Sequence, residues 1–468
     1  MSPESLHGKH VVVLGLARQG KALARWLPEQ GAQVTISDLR SADDLTDDIV
    51  QFAWQPVRFV LGSHPLELLN DCDLLCVSGG VPLSIPIVRE ALRRNIPVVN
   101  DAQLFLERCP APVLGITGSA GKTTTTALVG AMCRAAGYTT WVGGNIGEVL
   151  LDVLDEISPD DRVVMELSSF QLELMTTSPG VAAVLNVTPN HLDRHGTMPA
   201  YIAAKSNIFL HQDHQQIAIF GLDDPNARSM SRHALGRVGY FSRVEAVPCG
   251  AYLHGDQLVV DGDCVPGNGQ QVVCDRSAIK LRGQHNLLNV LAACAIAGAG
   301  GVPVDAMRAA IERFTGVDHR QEPVATIDGV LWVNDSIATA PERVLAALRS
   351  YDKPLVLLAG GRDKKLPWDE LAALAVQTCR AVIAFGEFSE QVAAQVQQAQ
   401  TRRADSALEN VVVVENLDAA VYVAADLAQP GDVVLLSPGG TSYDAYVDFA
   451  ARGQHFRDLV RALESARA

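Results

Sequence analysis

Positive charge is in deficit in this chain: 38 lysines and arginines stand against 53 aspartates and glutamates, a net charge of −15. So acidic a surface does not suit bulk contact with nucleic acid or with an anionic membrane. Any phosphate-bearing ligand must then be met locally, by loop amides, a few lysines or a metal ion. Paired cysteine motifs are missing too. The nine cysteines are scattered through apolar segments without a CxxC spacing, which predicts buried thiols in a reducing compartment and excludes a zinc or disulfide framework. No apolar run is long enough to span a bilayer, and no signal-peptide pattern precedes the first strand-like stretch, "KHVVVLG". A cytoplasmic protein without membrane insertion is expected. Repeats and low-complexity tracts are also lacking.

What remains is an ordinary globular composition, 48% hydrophobic and 19% charged, in 468 residues. That length suits two to four domains. Three segments read as openings of separate α/β units. The first, "HVVVLGLARQGKALARWLPEQGAQVTISD" at 10–38, places an apolar strand, a glycine turn, an amphipathic helix and a second strand ending on Asp38. This is the outline of a dinucleotide-binding unit, but its fingerprint is imperfect. Gly15 and Gly20 are in place, whereas Ala17 stands where a glycine lets backbone approach a pyrophosphate. Asp38 remains able to accept hydrogen bonds from a ribose or base. After the proline-flanked "RCPAP" comes "PVLGITGSAGKTTTTALVG", followed by strands in "RVVMELSSF" and "VAAVLNVT". A third unit opens near "GVLWVNDSIATAPERVLAALRSY" and ends in "DVVLLSPGGTSYDAYVDFAARGQHF". Alternating short strands and helices predict mostly parallel sheets. Residues 211–282 break the rhythm with short strands and Asp-Gly turns, and read as an antiparallel insert. The expected fold is therefore α/β in three domains: Rossmann-like at 1–100, a central P-loop ATPase domain at 101–314, and Rossmann-like again at 315–468.

The central glycine loop carries the chemistry. Loop amides at a helix N-terminus cradle phosphate oxygens, Lys122 neutralises the outer phosphates, and Thr123 can ligate magnesium. Glu166 closes an apolar run where a second magnesium ligand is expected. The spacing is not that of the common phosphate loop, which wants a glycine at position 116, occupied here by isoleucine. Phosphoryl transfer itself needs little beyond positioning and charge neutralisation, so the other domains must decide the acceptor.

The stretches "TGSAGKTTT", "GGNIG", "ELSSFQL", "LNVTPNHLDRHG", "YIAAKSNIF", "GQHNLLN", "DHRQEP", "NDSIAT" and "LLAGGRDKK" occur in that order. Together they resemble the Mur ligases, ATP-dependent amino-acid ligases of peptidoglycan stem-peptide synthesis, and most nearly their glutamate-adding branch, over essentially the whole chain. The family's loop has the form T-G-x-x-G-K-T, matched by Thr117 to Thr123, which accounts for the odd spacing. The resemblance implies that ATP is contacted by Gly118, Ser119, Ala120, Gly121, Lys122, Thr123 and Thr124, with Asn289, Arg320 and Asp335 on the nucleotide side. It implies two magnesium ions, held through Thr123, Glu166, His191 and Lys205, the last carbamylated by carbon dioxide. Lys122, His191 and Lys205 then form the catalytic set. The substrate UDP-N-acetylmuramoyl-L-alanine is expected at Ala17, Arg18, Asp38, Asn145 and His191. The incoming glutamate is expected at Thr339, Lys364, Ser442, Tyr443 and Phe449. A monomer is expected.

The pattern breaks around the amino-acid pocket. The family typically reads Asp-Ser-Lys-Ala-Thr-Asn, whereas this chain has "DSIATAPE", with Ile337 for the lysine and Ala340-Pro341 after the threonine. Tyr443 stands where a smaller apolar residue is usual. Losing a cation at 337 and gaining a phenol at 443 point to a changed enantiomer, L-glutamate, with D-glutamate as the alternative. More distant readings are a folylpolyglutamate-synthase-like ligase, a P-loop ATPase that is not a ligase, and a dehydrogenase resting on residues 10–38 alone.

Overall fold

The computed structural model describes residues 5–147, 149–263, 266, 269–281, 283–364, 366–402 and 406–467. It divides into two compact units, Met1–Phe314 and Thr315–Ala468.

Within the first unit lie two sheets. Five parallel strands form the smaller one, in the order Val57–Leu61, Gln33–Asp38, His10–Leu14, Leu74–Val77, Val98–Val99. The reason is legible in the strand "HVVVL": Val11, Val12, Val13 and Leu14 are all buried, as a strand covered on both faces requires. Helix Arg18–Glu29 covers one face with Ala22, Leu23, Trp26 and Leu27, a helical stripe of buried positions. Full burial of such a leucine is worth about 1.5–3 kcal/mol. Strand order reverses at His10–Leu14, so the crevice above its C-terminal end is where a ligand of this architecture sits.

The larger sheet has nine strands, running from Gln271–Asp275 at one edge to Thr140–Gly144 at the other. Strands Val181–Val184, Val113–Thr117 and Arg162–Glu166 lie side by side in parallel, next to the edge strand Thr140–Gly144. Helix Gln284–Ala299 is apolar nearly all round, "LLNVLAACAIAGA", and is correspondingly buried from Leu287 to Gly298 with few exceptions. It packs beside helix Lys122–Ala135. The stretch read as an antiparallel insert is only partly so. Ile217–Gly221 and Arg237–Ser242 pair in parallel, because helix Pro225–Met230 carries the chain back between them. Antiparallel pairing is confined to Gly250–His254, Gln257–Asp261 and Gln271–Asp275, which extend the same sheet.

The second unit holds a six-stranded sheet in the order Glu322–Ile327, Val330–Asn334, Val433–Gly439, Leu355–Gly360, Cys379–Phe385, Asn410–Val414. Only its first pair is antiparallel. Among the described residues seven cysteines are free thiols and Cys249 is disulfide-bonded, contrary to the expectation of thiols throughout. Among the described residues no helix is long and apolar enough to cross a membrane.

Candidate functional site

Strand Val113–Thr117 runs into the loop Gly118–Gly121, and helix Lys122–Ala135 starts immediately after it. Gly121 makes the turn possible. Its φ is +85°, and a Cβ there would collide with the side-chain oxygen of Asn289 from the buried helix Gln284–Ala299. Asn289, expected on the nucleotide side, thus lies directly against the phosphate loop. A residue that sequence reasoning missed, Asn186, shapes the same loop. Its Oδ1 accepts from the Ala120 amide at 2.9 Å, its Nδ2 donates to the Ala120 carbonyl at 3.0 Å, and its own carbonyl accepts from the Ser119 amide at 2.9 Å. Position alone, just past the strand Val181–Val184, was the available signal. Ser119 also donates its hydroxyl to Thr188 O at 2.9 Å, and Lys122 donates to Gly118 O at 2.9 Å.

Three sequence-predicted polar groups converge behind this loop. Glu166, 1% exposed at the end of strand Arg162–Glu166, accepts from Asn145 Nδ2 at 2.8 Å through Oε1. Its Oε2 is buried without a hydrogen-bond partner. A carboxylate oxygen left so in a dry setting is costly unless a cation completes it, which is what a magnesium site would do. Lys205, also 1% exposed, donates to Thr117 Oγ1 at 3.2 Å and to Gly118 O at 3.0 Å. Burial, then the charge of Lys122, holds its amine well below the usual lysine range, against the pull of Glu166. Such a setting makes the amine easier to deprotonate than that of an exposed lysine. Thr123 is half-buried one residue after Lys122, and Thr124 is buried beside it.

His191 adopts left-handed backbone, φ 53° and ψ 32°, at the head of the short helix Leu192–His195. That conformation is uncommon for a residue with a Cβ, though histidine adopts it more readily than most. Its exposed ring meets the edge of Phe170 at 5.0 Å. Among the described residues no three histidine, cysteine or acidic side chains gather into a ready-made metal cluster, so magnesium here would draw on hydroxyl, carboxylate and phosphate oxygens.

Three of the predicted sugar-nucleotide residues, Ala17, Arg18 and Asp38, sit at the C-terminal ends of the first sheet, while Asn145 and His191 follow strands of the second. Ala17 is extended, φ −90°, so the missing glycine is not needed for backbone reasons. Asp38 is engaged already: Leu16 N–H donates to it at 2.7 Å, and Arg40 donates through both Nε and a terminal nitrogen at 3.1 and 2.8 Å. Although burial opposes ionisation, these bonds prevail and bring its carboxyl down to about 2. Arg18 is likewise engaged, donating to the carbonyls of Gly147, Gly144 and Asn145. Both residues organise the crevice through contacts within the chain.

In the second unit, Asp335 is buried and accepts from Ser437 Oγ at 2.8 Å and the Gln321 amide at 3.1 Å. Arg320 is half-buried nearby and acts on it electrostatically. Lys364 donates to Thr339 Oγ1 at 3.1 Å. Ser442 is buried, Tyr443 exposed, and Phe449 opens the last helix with its carbonyl accepting from Ser336 Oγ at 2.8 Å. The residue missed here is Arg452. Fully buried, it donates to Ser336 Oγ at 3.0 Å, Ser336 O at 2.9 Å and Gly440 O at 3.3 Å, tying the "DSIAT" and "SPGGTS" turns together. An arginine in a helix reads as solvated until the helix is docked.

Three family models match the chain: a MurD-like Mur ligase N-terminal domain at residues 9–100, the Mur ligase middle domain at 116–297, and the Mur ligase glutamate ligase domain at 319–440. A UDP-N-acetylmuramoylalanine–D-glutamate ligase of Symbiobacterium thermophilum is 41% identical over 462 residues, 97% of this chain and 98% of the relative. That of Pelotomaculum thermopropionicum is 38% identical over 457 residues, 97% and 98% of the two chains. Among solved structures, MurC of Thermotoga maritima matches with a TM-score of 0.55 at 18% identity, over 98% of this chain and all of that one. MurF of Acinetobacter baumannii matches with 0.56 at 18%, over 97% and 93%. These two likenesses concern the fold. The expectation of L-glutamate is overturned by the full-length relatives, which are named for the D-enantiomer. A cation does stand near position 337: Arg343 of helix Pro341–Leu348 donates to the Ile337 carbonyl at 3.1 Å. With three domain models in register along its length and relatives matched end to end, the chain belongs to the Mur ligase family.

Proposed function

We propose that this ligase joins D-glutamate to UDP-N-acetylmuramoyl-L-alanine with the conversion of ATP to ADP and phosphate. The observation that carries the reading is the end-to-end similarity to D-glutamate ligases at 41% identity. In this reading residues 1–100 hold the UDP-sugar, 101–314 hold ATP, and 315–468 bring the amino acid. An oxygen of the alanyl carboxylate attacks the γ-phosphorus, the bond to the bridging oxygen breaks, and ADP leaves. The glutamate amine then attacks the acyl carbon, inorganic phosphate departs with the electron pair, and the ammonium proton is lost. Activation is required because a free carboxylate offers no adequate leaving group.

Each residue then has a task. Lys122 swings from its own loop carbonyls to the outer phosphates, and the amides of Gly118 to Thr124 frame them. Thr123 and Glu166 would hold one magnesium, and the orphaned Glu166 Oε2 supports that fit. His191 and a carbamylated Lys205 would hold a second. The depressed basicity of Lys205 favours its reaction with carbon dioxide, which turns a cation into an anion. Magnesium, when bound, neutralises the phosphate oxygens during transfer. Asn289, Arg320 and Asp335 serve the nucleotide, and Asn145 the sugar substrate. Lys364, Thr339 and Ser442 anchor the glutamate carboxylates, with Tyr443 and Phe449 beside them. ATP and a UDP-sugar are soluble cytosolic compounds, so the reaction is assigned to the cytoplasm.

The test supplies UDP-N-acetylmuramoyl-L-alanine, ATP, magnesium and each glutamate enantiomer separately, and follows phosphate release and the ligated product. Turnover with D-glutamate is expected. Turnover with L-glutamate alone would reject the enantiomer, and none with either would reject the reaction.

A further inference from the structure

Residues 5–314 contain two sheets with glycine turns at their strand ends, and two arginines pass between them in opposite directions. From the five-stranded sheet, Arg18 follows the first glycine turn and reaches the turn after strand Thr140–Gly144. It donates to Gly147 O at 2.6 Å, Gly144 O at 3.0 Å and Asn145 O at 3.1 Å. From the nine-stranded sheet, Arg194 reaches the turn after strand Leu74–Val77, donating to Gly79 O at 3.1 Å and Val81 O at 3.0 Å. Every acceptor is a main-chain carbonyl. A planar guanidinium holds such acceptors in fixed directions, with less entropy lost per bond than a flexible ammonium.

Each arginine is also tied to the chemistry on its far side. The Asn145 that accepts from Arg18 holds Glu166 with its side chain at 2.8 Å. Arg194 lies 3.9 Å over the ring of Phe170, which in turn packs on His191. On the near side the two turns are joined to each other: Gln19 Oε1 accepts from the Gly79 amide at 2.9 Å, and Ser78 donates to Gly15 O at 3.0 Å. Carboxylates stand by both guanidinium groups, Asp101 for Arg18 and Glu173 for Arg194.

We infer that Arg18 and Arg194 form a reciprocal interlock that fixes the distance from the sugar-nucleotide turns to Glu166 and His191. Both are positioning residues. They set the span along which the substrate's terminal carboxylate is delivered to the phosphate, and in this the inference rests on the function proposed above. The joined turns give the arrangement a signature. The two straps work beside a shared apolar core and the Arg25–Asp152 ion pair, which hold the sheets together, and each strap aligns its turn only while the other fixes the turn opposite.

The experiment is a double-mutant cycle on the full-length enzyme with Arg18→Ala, Arg194→Ala and the pair. Each single variant should lose about 100-fold in kcat, the cost of a displacement of roughly 1 Å at the reacting atoms. KM for ATP and the apparent Tm should stay near wild type. The pair should lose less than tenfold more, where independent contacts would multiply. Arg18→Lys and Arg194→Lys, which keep the charge and one bond, should lie between. Hydrogen exchange gives a readout that does not need turnover: Arg194→Ala should loosen residues 144–147 as well as 79–81, and Arg18→Ala the same two segments. Losses that multiply, single variants within about threefold of wild type, or exchange confined to each arginine's own target would overturn the interlock. A wild-type enzyme inactive on the UDP-sugar would reject the functional reading instead, and exchange would then decide the interlock alone.

Discussion

The phosphate-loop end of the first unit and the proposed amino-acid end of the second are built on different principles. Around the phosphate loop the charged groups are dry. Lys205 and Glu166 are each 1% exposed, and one carboxylate oxygen waits without a partner. Around Lys364 the setting is mixed, with Ser442 and Arg452 buried but the ammonium and the phenol open. Lys364 is exposed with its amine on Thr339, and Tyr443 is 62% exposed. A dry site makes each electrostatic contact strong but must be completed by ions to be stable. An open one gives weaker, adjustable anchors, which suits a small zwitterion that must enter and be turned over. The difference teaches that loss of a group should act chiefly on rate at one end and chiefly on binding at the other.

The strongest way to break that contrast is Lys205→Ala. Turnover should fall by about two decades or more, as for other losses of a transition-state charge contact. Added short carboxylic acids should restore part of it by supplying the missing oxygens. A rescue-independent, active variant in a phosphate-release assay would remove Lys205 from the site. Lys364→Ala should act differently, raising KM for glutamate by roughly ten- to a hundredfold, the worth of a charge-assisted hydrogen bond. KM for ATP should hardly move. A pure kcat effect in steady-state kinetics would erase the distinction between the two ends.

The smallest effect sharpens the comparison, because Asp335, like Arg452, is a dry charged group in the second unit. Burial pushes its carboxyl up to about 7 from 3.8, although Ser437 and the Gln321 amide favour the ion. Its folded value is raised, so its contribution to stability is full below about pH 4 and is lost as pH climbs through about 7. Asp335→Asn removes that titration. The difference in apparent Tm between variant and wild type should shift in favour of the variant from pH 4 to pH 8. A constant difference would place no titrating carboxyl there.

Much of this was legible in the sequence, and the gaps have physical reasons. Strand, glycine turn and amphipathic helix announce an α/β unit locally, which is why the three openings were readable. Pairing direction is not local. Ile217–Gly221 and Arg237–Ser242 were read as part of an antiparallel insert, yet the crossover helix between them makes them parallel. Lys205 could be found only through the order of motifs, since nothing in "YIAAKSN" marks a buried lysine. Asn186 and Arg452 were missed because a single polar residue gains its meaning from what docks against it. Ile337 misled because one substituted side chain does not say which enantiomer the surrounding anchors accept, and a cation, Arg343, lies against its carbonyl.

The grip of Asn186 on the phosphate loop has a thermodynamic consequence. Ser119 and Ala120 are fixed by three hydrogen bonds to that one residue before any nucleotide arrives. Ordering of the loop backbone is therefore settled during folding, and nucleotide association does not carry its entropy. What must still reorganise is one flexible side chain, Lys122, leaving the carbonyl of Gly118. Nucleotide capture by this enzyme should accordingly resemble docking to a preformed surface, with an association rate set by encounter and by a single rotamer change.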